Sequence, residues 1–235
     1  MNARLTPRRR RGAEYLDAPD IDARTVTRSL ADVARSNALF GGTSAVLAEL
    51  SRIVAELPGK CATLLDVGTG LGDIPARARD AWASRGSTLT IFGVDGNEAL
   101  ARSALSLGMP TVRAHALQLP FRDASVDIAM CSQVLHHFEG DGAIALLREL
   151  DRVAKRRVIV SDLRRSWIAA AGLWLASFPL GFHPVSRHDG VVSVLRGFTS
   201  TELRDLVRQA VGAEAEVHDR PAFRATASWA PTRMS

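Results

Sequence analysis

Leu64-Leu65-Asp66-Val67-Gly68-Thr69-Gly70-Leu71-Gly72-Asp73 is the stretch from which the fold of this chain can be read. A short apolar run, Ala62 to Val67, enters three alternating glycines, and a helical pattern over 72–84 follows. Glycine lets a backbone turn sharply and approach a ligand with no side chain in the way. In a doubly wound α/β sheet, this first strand-to-helix crossing is where ligands bind. The spacing is G-x-G-x-G. A dinucleotide fingerprint, G-x-G-x-x-G, would need its third glycine at position 73, where Asp73 stands. An acid also sits two places before Gly68. A pyrophosphate favours a bare helix N-terminus and would be repelled by these carboxylates.

Outward from the loop, Ile91-Phe92-Gly93-Val94-Asp95-Gly96 ends a second apolar run on another acid, 23 residues after Gly72. That interval suits a helix plus the returning strand. A carboxylate there can accept hydrogen bonds from both hydroxyls of a ribose, a device that nicotinamide enzymes share. The two elements together favour a nucleoside that carries positive charge and no phosphate. S-adenosyl-L-methionine, with its ammonium and sulfonium, is such a ligand.

Strand and helix patterns alternate beyond the loop. Strands are expected at Leu89–Val94, Thr111–Ala114, Val126–Cys131 and Val158–Ser161, with helices over 97–107 and 143–153. Continuous apolar strands separated by helices predict a parallel sheet buried on both faces. Before them, Ile21, Val26, Leu30, Val33 and Leu39 recur at helical spacing. Ser44–Leu57 gives a second helix, Gly41-Gly42 separates the two, and Pro58-Gly59 closes the region. After the fifth strand come an apolar helix-like segment over 166–178, a Gly/His/Pro-containing stretch, and a helix over 200–211 begun by a capping signal at Thr199–Glu202. Runs 214–219 and 223–229 read as a closing hairpin around Arg220-Pro221. The expected organisation is a disordered basic tail (1–12), an N-terminal helical cap (13–58), and one ligand-binding domain (59–235) with an apolar insertion at 163–198.

On these residues the chain resembles the class I S-adenosyl-L-methionine-dependent methyltransferases, in particular their small-molecule, ubiquinone/menaquinone-type branch. The likeness covers residues 60–165 well and the later elements loosely. Asp127–Phe138 is similar to the family's fourth strand and its exit, and Leu147–Asp162 to the next helix and strand. The resemblance implies a Rossmann-like three-layer α/β sandwich. Its seven-stranded, mostly parallel sheet would have the order 3-2-1-4-5-7-6, with the last strand antiparallel. It also implies cofactor contacts from Asp66, Gly68, Thr69, Gly70 and Gly72 to the methionine part, and from Asp95 and Gly96 to the ribose. His115, Ala116 and Leu117 would lie at the adenine, and Ser132 at the end of the fourth strand. His115 stands where the family commonly has an acid that contacts the adenine amino group.

Methyl transfer is an in-line displacement that alignment and exclusion of water can accelerate. An oxygen or nitrogen acceptor also gains from a base, and histidine is the usual choice. His136 and His137, after the fourth strand, and His188, in the insertion, are the candidates, each with a packing or loop role as the alternative. The apolar residues of 167–182 fit a core helix, a lid over a lipophilic or aromatic acceptor, or a helix at a membrane surface. O-methylation is the preferred chemistry. A nicotinamide-dependent oxidoreductase and a non-catalytic binder of S-adenosyl-L-methionine are the rival readings.

Bulk properties bound the partners. The net charge of +5 comes from the five arginines within residues 1–11 and leaves the remainder neutral. A neutral body argues against a nucleic-acid substrate. No Asn/Asp-Pro-Pro-aromatic motif follows the fourth strand, where Ser132-Gln133-Val134-Leu135 stands. Cys61 and Cys131 lack metal-ligand spacing and are expected as buried, inert thiols, so no metal is predicted. The longest uncharged apolar stretch, Ile168–Phe182, is too short and broken to span a bilayer. A cytoplasmic protein acting on a small-molecule acceptor is the expectation, with the oligomeric state open.

Overall fold

The computed structural model describes residues 5–10, 12–18, 21–54, 60–106 and 108–232. The strands are β1 (Cys61–Val67), β2 (Thr88–Asp95), β3 (Thr111–Arg113), β4 (Val126–Ser132), β5 (Ala154–Leu163), β6 (Glu216–Arg220) and β7 (Arg224–Trp229). They form one sheet in the order β3-β2-β1-β4-β5-β7-β6, as the resemblance implied. Strands β1 to β5 pair in parallel, and β7 runs antiparallel to both β5 and β6.

Side-chain alternation along the strands divides the core into two layers. Leu64, Ile128, Met130 and Ile159 face α2 (Gly42–Val54), α3 (Asp73–Ala83) and α4 (Glu98–Ser106), where Val46, Leu50, Ile74, Ala78 and Ala104 meet them. Leu65, Val67, Ala129, Cys131, Val158 and Val160 face the other way, onto Leu146, Leu147 and Leu150 of α5 (Asp141–Val153) and Leu203 and Val207 of α8 (Ser200–Val211). Both faces are apolar because both are covered, which is why the strands read as unbroken hydrophobic runs.

Three expectations change. Residues 13–58 do not form one cap. Helix α2 belongs to the sheet's covering layer, through Val46, Leu50 and Ile53. It is α1 (Ala23–Leu39), N-capped by Asp22, together with the segment holding Glu14 and Leu16, that lies over the strand ends, and α1 bonds to the segment before α7 (Pro184–Arg196) through Asp32. Pro58-Gly59 lies outside the described residues.

Second, the described part of the basic segment is packed rather than free. Pro7 O accepts from Arg165 Nε (2.7 Å), and Arg10 N donates to Leu195 O (3.1 Å). Arg9 donates to the carbonyls of Arg196 (2.7 Å) and Phe138 (3.0 Å) and lies over the Phe198 ring. These arginines satisfy carbonyls that chain turns leave open, a demand that composition does not disclose.

Third, the Gly/His/Pro stretch is the helix α7. Pro184 occupies its first turn, where a missing N–H costs nothing, and Val185 N–H donates to the capping His183 side chain. Gly190 is a notch: a Cβ there would come within 2.8 Å of Leu173 on α6 (Trp167–Ser177), so glycine lets the two helices cross closely. One thiol is also misjudged. Cys61 is exposed at the start of β1, while Cys131 is buried and its pKa pushed up by that burial. Among the described residues, no helix is long and apolar enough to cross a membrane.

Candidate functional site

The ends of β1, β2 and β4 open into a cleft of about 470 Å³. Gly68, Gly70 and Gly72 all hold positive φ (74°, 55° and 73°), the backbone region that glycine enters without strain. They serve different ends. A side chain on Gly68 would strike Val134, and one on Gly72 would strike Met109, whereas nothing lies within 4 Å of a Cβ placed on Gly70. Gly70 is therefore the point where the loop is bare toward the cleft.

Asp95 ties this loop to β2. One carboxylate oxygen accepts from Gly70 N–H (2.9 Å) and the other from Asn97 N–H (2.8 Å). Burial pushes its pKa up, opposed by those two bonds. Asp66 is more deeply placed. Its Oδ2 accepts from Thr69 Oγ1 (2.9 Å), while Oδ1 is buried with no partner. Burial pushes this carboxyl up to about 8, and the Asp73 and Asp95 charges add to the shift. Asp73, held by Asn37 (3.3 Å) and itself raised by burial, completes a trio of acids. The Ser132 hydroxyl is likewise buried without a partner, and Ser132 lines the same cleft. Gln133 follows it at φ 57°, a strained conformation of the kind that gathers at functional sites.

Most of the expected residues meet here. Asp66, Gly68, Thr69, Gly70, Asp95, Gly96, His115, Ala116, Ser132, His136 and His137 all line the cleft. Gly72 does not; it serves the turn and its packing on Met109. Leu117 packs against the sheet core, and its N–H is engaged by His115 Nδ1 (3.2 Å). His188 is displaced altogether. It sits on the outer side of α7, stacked on Tyr15 and bonded to Asp189 (2.8 Å), and borders neither the cleft nor the cavity beside it. Its neighbours Asp189 and Gly190 on the same helix line the cavity instead.

His136 is buried in a chain of charges. Its Nδ1 lies 2.7 Å from Asp162, whose other oxygen accepts from the His136 backbone N–H (2.9 Å). Its Nε2 faces Glu14 at 3.7 Å. Burial opposes the charged ring, but Asp162 and Glu14 outweigh it and hold the pKa at about 9. Asp162 is correspondingly lowered: burial raises it, and the His136 charge and hydrogen bonds prevail. Glu14, His136 and His137 bring three ligand atoms within 4.8 Å of one another, the count a cation site needs. The ring that faces Glu14 is an imidazolium at neutral pH, however, and Arg196 lies 3.3 Å from Glu14, so the group reads as an ion-pair chain.

A second cavity of about 380 Å³ adjoins the cleft, sharing Glu14, Leu16, Val33, Gln133 and Ser193 with it. Its walls are mostly apolar: Phe40, Leu163, Ile168, Leu173, Phe182 and Val194 from α6, α7 and neighbouring segments. The outer side of α6 is also apolar, with Trp167, Trp174, Leu175 and Phe178 exposed. Sequence reading missed Glu14, Asp162 and Arg224 as site residues. Asp162, ending the fifth apolar run as Asp95 ends the second, offered a usable signal; the other two lie too far along the chain from the cleft residues.

Residues 65–161 match the model of a protein family described as a methyltransferase domain. An uncharacterized methyltransferase of Mycobacterium sp. (strain JLS) is 37% identical over 100 residues, which are 43% of this chain and 38% of that protein. The chain thus matches about two fifths of that curated relative's length. Among solved structures, an S-adenosyl-L-methionine-dependent methyltransferase from Aquifex aeolicus aligns with a TM-score of 0.60 at 17% identity, over 91% of this chain and 100% of that one. Magnesium protoporphyrin IX methyltransferase from Synechocystis PCC 6803, solved with bound S-adenosylhomocysteine, aligns with a TM-score of 0.56 at 17% identity, over 92% and 90%. These two likenesses establish the fold.

Proposed function

We propose that this protein is a methyltransferase that draws its methyl group from S-adenosyl-L-methionine and passes it to a small apolar acceptor lodged beside α6 and α7. The observation that carries the reading is the partnerless oxygen of Asp66, buried among acids at the foot of a glycine loop. Such a site suits a cation and repels a phosphate, which argues against a nicotinamide dinucleotide. The methyltransferase-domain match over 65–161 supports the same reading.

When bound, S-adenosyl-L-methionine supplies an electrophilic methyl group on a sulfonium that departs as a neutral thioether. Asp66, with its partnerless oxygen, would hold the ammonium. Asp95, whose two oxygens already fix Gly70 and Asn97, has lone pairs left to accept from the ribose hydroxyls. His115 and Ala116, which line the cleft, would hold the adenine, and the buried, partnerless Ser132 hydroxyl would bond the cofactor. The apolar cavity orients the acceptor and excludes water, the main contributions a protein can make to this displacement. Oxygen is our preferred accepting atom. His136, already protonated at neutral pH, is unsuited to remove a proton from it, so of the three candidate histidines only His137 retains that role at the cleft.

Calorimetry with S-adenosylhomocysteine tests the cofactor, and absence of heat with folded protein would remove the proposal. Asp95→Ala is expected to weaken binding by about 1.5–3 kcal/mol, roughly 10- to 150-fold, if it holds the ribose through charged hydrogen bonds. Unchanged affinity in a folded variant would rule that role out. Incubating radiolabelled S-adenosyl-L-methionine with cell extract should label a small, extractable product; label confined to macromolecules would contradict the acceptor class.

A further inference from the structure

The cavity beside α6 and α7 contains a cation with hydrogen-bonding capacity to spare. Arg224 opens β7 and is 2% exposed. Its Nε donates to Phe40 O (3.0 Å), which fixes the plane of the guanidinium, while Nη1 is buried with no partner. Among the described residues, Arg224 makes no ion pair. The Asp162 charge acts on it, but the Asp162 oxygens are hydrogen-bonded to His136 and to two backbone N–H groups.

The acids that line this cavity are committed as well. Asp32 accepts from His183 N–H and the Ser186 hydroxyl, Asp189 from the N–H groups of Tyr15 and Leu16, and Glu14 from Ser193. Each of them is satisfied by partners in the chain, whereas the arginine is not. A buried guanidinium with an open N–H is costly to keep and calls for an acceptor from outside the chain. The backbone leading into it is also strained, with Ala222 at φ 54° and Phe223 at φ 57°, neither of them glycine. Leu163 pairs with the arginine across the sheet and Phe40 accepts its hydrogen bond, and Leu173 and Phe182 add hydrocarbon walls.

We propose that the acceptor is an apolar carboxylic acid, a molecule with a hydrocarbon or aromatic body whose carboxylate Arg224 binds. This deepens the methyltransferase reading and rests on it, since it takes the cavity as the acceptor's. An acceptor that arrives ionised also needs no side chain to remove its proton, in keeping with a cleft whose buried histidine is already protonated.

Calorimetry on the full chain saturated with S-adenosylhomocysteine tests this with matched probes: para-butylbenzoate against para-butylbenzamide, and decanoate against decanamide. At least one acid should bind about tenfold or more tighter than its amide, the difference expected of a charged hydrogen bond over a neutral one. Arg224→Met should abolish that preference and leave S-adenosylhomocysteine affinity intact, while Arg224→Lys should retain part of it. Should the Met variant lose S-adenosylhomocysteine binding through misfolding, Arg224→Gln takes its place. Equal binding of acid and amide, a preference that survives loss of the arginine, or no binding of either acid to a chain that holds S-adenosylhomocysteine would overturn the proposal. A wild-type chain that does not hold S-adenosylhomocysteine would instead overturn the methyltransferase reading beneath it.

Discussion

Replacing Asp66 with Asn is expected to stabilise the ligand-free protein at high pH and to cripple cofactor binding. Burial drives this carboxyl from an ordinary 3.8 to about 8, with Asp73 and Asp95 adding to the shift and Thr69 opposing it. Between those two values the folded chain keeps a proton that the unfolded chain has released. Stability attributable to Asp66 is therefore complete below about pH 4, falls as pH rises, and is lost once pH passes about 8. At about 1.36 kcal/mol per pH unit, the Asn variant should exceed wild type by roughly 3–6 kcal/mol at pH 9 and by under about 2 kcal/mol at pH 5. Urea melts at both pH values measure this, and a difference independent of pH would contradict it. An ammonium ligand demands the ionised form, so binding near pH 7 should release close to one proton and tighten as pH rises toward 8. Calorimetry in buffers of different ionisation heat counts that proton. Removing the charge should lower affinity by about 100-fold or more, from roughly 3 kcal/mol for a buried charged hydrogen bond.

Asp162→Leu should cost about 3–5 kcal/mol of stability, because it strands the buried imidazolium of His136. That ring is 2% exposed, and Asp162 is the anion within hydrogen-bonding distance of it. Adding His136→Leu should recover much of the loss, since removing both charges also removes the desolvation that each imposes. A double variant no more stable than the single would refute the ion-pair account. The pH window follows from the two shifts. His136, raised to about 9, contributes fully below its ordinary 6.5 and loses its contribution as pH climbs through about 9. Asp162, lowered, contributes above the usual carboxylate range and loses its contribution in acid. The pair is therefore worth most between roughly pH 4 and 6.5.

The inner strands of the sheet were legible in the sequence because β1, β4 and much of β5 are buried on both faces and flanked by turns with their own chemistry. Gly68 to Gly72 and Asp95 announced the cleft through local spacing alone. What could not be read depends on contacts between distant segments. Helix α7 was hidden because Gly190 marks a helix crossing and Pro184 a helix start, yet both look like breakers along a single chain. Assigning α2 to a cap failed because its amphipathic pattern cannot say which surface its apolar stripe meets. His136 and His137 were found as neighbours of the cleft, but the proton that His136 holds depends on Asp162 and on Glu14, which is 122 residues away in sequence. Arg224 escaped notice for the same reason: nothing local distinguishes it from the chain's many surface arginines.

The packed arginines near the start of the chain bear on how the protein should be handled. Arg9 reaches the carbonyls of Arg196 and Phe138, and Arg165 leans on Pro7. Deleting this stretch would leave bare the main-chain oxygens of Arg196 and of Phe138, the latter directly after the turn that carries His136 and His137.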